Sequence, residues 1–143
     1  MENFYLYKSI KQAYQNAVDR KWDTLYVMVD IHGTISESNY RDCESPFYPQ
    51  AIIALQYLSS LPEVFLALYS CGYDSDLDIY KKKLRALGIH FKTANYTPVE
   101  NTKTGCFDKK PYFNVLIDDK AGFDPKDWDK VAECFKSLRH HFL

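Results

Sequence analysis

The sequence predicts an α/β domain built on a parallel β-sheet, and three observations carry that expectation. Short apolar runs at residues 25–29, 64–69, 89–92 and 113–117 are separated by stretches of helical periodicity, the alternation that builds βαβ units. The runs at 25–29 and 64–69 are apolar throughout, as strands buried on both faces of a parallel sheet are. Two runs end in acids: Leu25-Tyr26-Val27-Met28-Val29 leads into Asp30, and Val115-Leu116-Ile117 into Asp118-Asp119. The carboxyl edge of such a sheet is where open α/β folds bind ligands.

The elements follow in order. Residues 9–20 place Ile10, Ala13, Tyr14, Ala17 and Val18 on one helical face ahead of the first strand. After Thr34, the stretch from Ser36 to Ser45 is polar and without period. Pro49 suits the first turn of a helix reaching about Ser60, with Ile52, Leu55 and Leu58 inward. The second strand, 64–69, ends at Ser70. Asp74 or Ser75 can then cap a helix carrying Leu77, Tyr80, Leu84 and Leu87 and stopping at Gly88. Its Lys81-Lys82-Lys83 run reads as a solvated face. A short third strand covers 89–92.

Residues 94–112, with Pro98, Gly105 and Pro111, read as a long loop; the 94–109 part, with Tyr96, Asn101, Thr102 and Lys103, is a candidate partial lid. The fourth strand is 113–117. Asp124-Pro125 opens a last helix that buries Trp128, Val131, Ala132, Phe135 and Leu138, with His140 and His141 exposed beyond its packed face.

A chain of 143 residues suits one domain, 1–143, with its own core. Aromatic residues make up 16%, which chiefly suits packing. The net charge of −1 gives no bulk attraction to nucleic acid or membrane. Cys43, Cys71, Cys106 and Cys134 form no Cys-x-x-Cys pair, so neither a zinc nor a disulfide framework is expected, and a reducing, cytoplasmic setting fits. No signal segment or membrane span is read in the sequence.

The chemistry lies at the strand ends. Three carboxylates from neighbouring strands must share protons or hold a cation, and oxygen-only ligands suit magnesium. Asp30 can attack phosphorus as a carboxylate nucleophile, with magnesium held by Asp30 and Asp118. The Ser70 hydroxyl and Lys110 ammonium can contact the remaining phosphate oxygens. Gly33 permits the tight turn, and Thr34 can offer its amide or hydroxyl to phosphate. Each feature is weak alone; the combination in this order is specific.

Asp30-Ile31-His32-Gly33-Thr34, Ser70 after an apolar strand, Lys110-Pro111, and Asp118-Asp119 after another strand together resemble the four motifs of the haloacid dehalogenase-like phosphohydrolases, over about residues 24–138. The stretch from the helix at 76 through Asn95 to Ile117-Asp118-Asp119-Lys120 and Asp124-Pro125-Lys126-Asp127-Trp128 looks most like small bacterial and phage members without a cap domain.

The resemblance implies a three-layer Rossmann-like parallel sheet in strand order 3-2-1-4, flanked by helices. It implies an aspartyl-phosphate on Asp30 and catalytic work by the side chain of His32. It also implies phosphate binding by Ser70 and Lys110, beside Gly33 and Thr34 read above, and magnesium held by Asp30, the His32 carbonyl, Asp118 and Asp119. His32 stands where the family usually has a second Asp. A neutral imidazole can activate water but is a poor acid for the leaving group, so good leaving groups or slow turnover are expected.

The alternative is a metal- and phosphate-binding module with little turnover and a regulatory or scaffold role. Without a cap the site should be open to a small phosphorylated substrate or a macromolecular end, a nucleic-acid end included, or be closed by a second subunit. A response-regulator receiver is disfavoured, since its acidic pair comes on the first strand and its target Asp later. A dinucleotide binder would need more glycine after the first strand.

Overall fold

The structure, a computed structural model, describes residues 1–38 and 45–143; residues 39–44 of the polar stretch that follows Thr34, Cys43 among them, lie outside the described residues. The described strands are β1 (Leu25–Val29), β2 (Val64–Leu68), β3 (Phe91–Ala94) and β4 (Val115–Ile117). The helices are α1 (Tyr7–Arg20), α2 (Pro49–Ser60), α3 (Asp74–Ala86) and α4 (Trp128–Phe142). The strands form one parallel sheet in the order β3-β2-β1-β4, flanked by helices in a Rossmann-like arrangement.

Register sets the site. Val29 stands opposite both Leu68 of β2 and Ile117 of β4, so three strands end level. Asp30, Tyr69 and Asp118 therefore emerge side by side. The step is fixed by backbone bonds: Asp30 N–H donates to the Ile117 carbonyl at 2.9 Å, and Tyr69 N–H to the Val29 carbonyl at 2.8 Å.

Alternation divides each strand. Val27, Val29, Leu66, Leu68, Val115 and Ile117 join one core with Ile10 and Tyr14 of α1, Leu55 and Leu58 of α2, and Trp128, Val131 and Phe135 of α4. Helix α4 packs against both α1 and α2. Fully burying each such Leu, Val or Phe is worth about 1.5–3 kcal/mol. The other face carries Tyr26 and Phe65, whose rings lie 5.3 Å apart. Tyr112 packs edge-on against Tyr26, and Phe107 against Tyr112.

That aromatic cluster involves the 94–109 stretch. It is pinned by the Thr97 hydroxyl donating to the Tyr112 carbonyl and by the Asn101 carboxamide accepting from Phe107 N–H. Phe107 is drawn towards Tyr26, at the start of β1 and away from Asp30. Ring packing thus holds Phe107 on Tyr112, and Tyr112 on Tyr26.

Several boundaries differ from expectation. Val18 is 45% exposed, because it lies roughly 80° round the helix from Ile10, at the margin of the buried stripe. Neither Asp74 nor Ser75 caps α3; Tyr73 occupies the N-cap without a side-chain bond, and Asp74 and Asp76 sit in the first turn, where the helix dipole favours them. Leu87 is exposed just past the helix end. Strand β3 starts at Phe91 because Ile89 N–H is still bonded to the Leu84 carbonyl of α3.

Strand β4 starts at Val115, with Asn114 tied to β1 by its side chain, which accepts from Tyr26 N–H at 2.8 Å. The Asp124 carboxylate accepts from Lys126 N–H at a short turn, Pro125–Asp127, that leads into α4. His140 and His141 are exposed, as expected, in the last turn of α4.

At the far end of the sheet, Tyr14 donates to Glu63 at 2.8 Å and the Arg139 guanidinium grips both Glu63 oxygens, at 2.8 and 3.1 Å. These groups line a hollow of about 430 Å³. Among the described residues no helix is long and apolar enough to cross a membrane.

Candidate active site

The acids predicted to meet do meet. Carboxylate oxygens of Asp30, Asp118 and Asp119 all lie within 4.8 Å of one another, each side chain half-buried. Burial first, then the neighbouring acids, raises the Asp30 carboxyl from 3.8 to about 7. Asp118 is raised by the same causes, partly offset by the Lys120 amide and ammonium. Without a cation this cluster keeps protons that isolated carboxylates would lose. Three oxygen donors at this spacing fit a small divalent ion, which would relieve that repulsion.

Thr34 ties the cluster together. It is fully buried, and its hydroxyl accepts from Asp119 N–H at 2.9 Å while reaching Asp30 Oδ2 at 3.2 Å and Asp119 Oδ1 at 3.4 Å. Its carbonyl accepts from the buried Trp128 indole N–H at 2.8 Å, which anchors the loop to α4. Gly33 has φ +83, and a Cβ there would fall on the Asp119 carboxylate, so only glycine lets the loop pass so close to the acid.

The expected phosphate contacts are corrected in part. Gly33 N–H donates to the Ser36 carbonyl at 2.7 Å and Thr34 N–H to the Ile31 carbonyl at 3.2 Å. Both amides, and the Thr34 hydroxyl, are used in building the loop rather than turned to a ligand. Ser70 does stand at the edge, half-buried, beside the acids by register. Its N–H is held by the Asn95 side chain at 2.8 Å, and its hydroxyl accepts from Gly72 N–H at 3.2 Å.

Lys110 is exposed in the segment before β4, and the charges acting on Asp30 and Asp118 do not include it. The cation that does act on Asp118 is Lys120.

His32 is half-buried, its ring edge-on to Tyr80 at 5.6 Å, and burial lowers its pKa. Burial thus favours the neutral imidazole. Sequence reasoning missed Trp128 and Asn95 as supports of the site. It also missed Tyr5, whose hydroxyl is pushed up to about 12 by burial and by Asp118 and Asp127. A positive φ of 65 at Asn95 is the kind of feature a strand-ending Asn can signal.

The chain is similar to a solved structure of a conserved protein from Bacteroides thetaiotaomicron. The two are 28% identical over 80% of this chain and 91% of that one, with a TM-score of 0.64. That likeness supports the α/β architecture. No family model and no curated protein matches the chain.

Proposed function

We propose that this protein is a magnesium-dependent phosphohydrolase of the haloacid dehalogenase-like type, working through an aspartyl-phosphate on Asp30. One observation carries the reading: three carboxylates from β1 and β4 converge at the carboxyl edge, and Asp30 there is pushed to about 7. Their order along the chain, a single acid first and the pair last, supports it as well.

Asp30 Oδ attacks phosphorus, and the bond from phosphorus to the leaving oxygen breaks; that oxygen keeps the electron pair and takes a proton from solvent. A water then attacks the acyl phosphate while neutral His32 accepts its proton, which returns the Asp30 carboxylate and releases phosphate. Asp30, Asp118, Asp119 and the His32 carbonyl would hold magnesium, which when bound neutralises phosphate charge and favours ionised Asp30. The Ser70 hydroxyl would meet a phosphate oxygen.

The test is phosphate release from an aryl phosphate with and without magnesium, beside Asp30→Asn. Magnesium-dependent release that disappears in the variant supports the reading. Intact metal binding without turnover between about pH 5 and 8 would make the protein a binding module instead.

A further inference from the structure

The tyrosines around this site have no part in the chemistry above. Among the described residues the exposed tyrosines are Tyr5, Tyr69, Tyr73 and Tyr96, at 47, 38, 83 and 58% exposure. All four lie at the carboxyl end of the sheet. Tyr69 directly follows β2 and neighbours Asp30 by register; Tyr73 is the N-cap of α3; Tyr96 follows β3 by two residues; Tyr5 precedes α1 and lies within reach of the Asp118 charge. Other tyrosines, such as Tyr14, Tyr26, Tyr80 and Tyr112, are buried or half-buried.

Tyr69 and Tyr96 follow the two strands that lie on one side of Asp30. Strands lie about 4.8 Å apart, so Tyr69 is one strand spacing from Asp30 along the edge, and Tyr96, at the end of β3, about two. Exposed rings lose nothing by being covered, and flat aromatic or base surfaces cover them best. A series of rings leading off from a phosphate site suits a ligand with several successive bases better than a lone sugar phosphate.

We propose that Tyr69, Tyr73 and Tyr96 form a base-stacking rail, and that the phosphate removed at Asp30 terminates a single-stranded nucleic acid. This rests on the phosphohydrolase reading and names its substrate class. The bond broken joins phosphorus to the terminal sugar oxygen. The oligonucleotide leaves with a free hydroxyl, and the phosphoryl group passes to Asp30 and then to water. With a net charge of −1, stacking rather than charge carries the affinity, so the salt dependence is shallow.

The experiment measures binding of six-residue oligothymidylates, carrying a terminal 3′- or 5′-phosphate and a fluorophore at the other end, to the Asp30→Asn protein in magnesium. An abasic oligomer of the same length is the reference, and hydrolysis of acetyl phosphate by the wild type is followed in parallel. The proposal expects the abasic oligomer to bind at least about tenfold more weakly. Tyr69→Ala and Tyr96→Ala should each weaken binding between about 5- and 100-fold, while the Phe variants stay close to wild type, because the ring does the stacking.

Equal binding of thymidylate and abasic oligomers, with acetyl phosphate still hydrolysed, overturns the rail and leaves the phosphohydrolase standing. Base-dependent binding without hydrolysis of any phosphate overturns both the removal step and the reading under it. Ala variants that dissociate an oligomer without changing affinity would make the rings a subunit contact and also overturn the proposal.

Discussion

Replacing Asp30 by Asn should stabilise this protein when no divalent ion is present. The carboxyl of Asp30 rises from 3.8 to about 7 on folding, roughly three pH units. At about 1.4 kcal/mol per unit the ceiling is about 4 kcal/mol. Asp30 is only half-buried and shares its shift with Asp118 and Asp119, so solvent screening and coupling bring the figure to about 2 kcal/mol.

The sign follows from linkage. A carboxyl whose folded pKa is raised contributes fully below the unfolded value of 3.8, and that contribution is lost as pH climbs through about 7. Asn is neutral at every pH and escapes the loss. Thermal unfolding in chelator should therefore show Asp30→Asn melting about 4–8 °C above wild type at pH 8, with the gap narrowing towards pH 4. Magnesium should raise the wild type and leave the variant little changed, which closes or reverses the order. A wild type at least as stable as the variant at pH 8 in chelator, or a gap indifferent to pH, would refute the reasoning.

Trp128→Phe leaves the buried Thr34 carbonyl without its indole donor, so unfolding in urea should show a loss of about 1–3 kcal/mol, and calorimetry a weaker affinity for magnesium. Gly33→Ala forces a Cβ onto the Asp119 carboxylate at a positive φ; magnesium binding should fall below detection while far-UV circular dichroism still reports a folded chain. Tyr14→Phe removes the donor to Glu63 at the opposite end of the sheet, and should cost about 1–2 kcal/mol in urea without changing magnesium affinity. His32→Asp should speed hydrolysis of poor leaving groups; slower turnover would make the imidazole the working acid as well as the base.

The sheet was legible in the sequence because its strands are short, apolar and bounded. The run 25–29 has no competing helical period, and its acid marks the edge. Asp30, Asp118 and Asp119 could be brought together on paper because parallel register carries strand ends to one edge. What eluded the sequence depends on tertiary geometry. Nothing in Trp128 says that its N–H meets the Thr34 carbonyl, 94 positions away in the chain. Thr34 reads as a phosphate ligand until its hydroxyl is seen between two acids. The packing of Phe107 on Tyr112 is a tertiary contact that no local pattern announces. Lys110 reads as a phosphate contact from the order of the motifs, yet its exposed side chain is not among the charges that act on the acids.

The most direct measurement is a crystal structure of the wild type grown with magnesium near pH 8. One ion is expected between the Asp30 and Asp118 carboxylates, about 2.1 Å from their oxygens, with near-octahedral coordination. Magnesium bound elsewhere, or the two carboxylates turned apart with only water between them, would contradict the account.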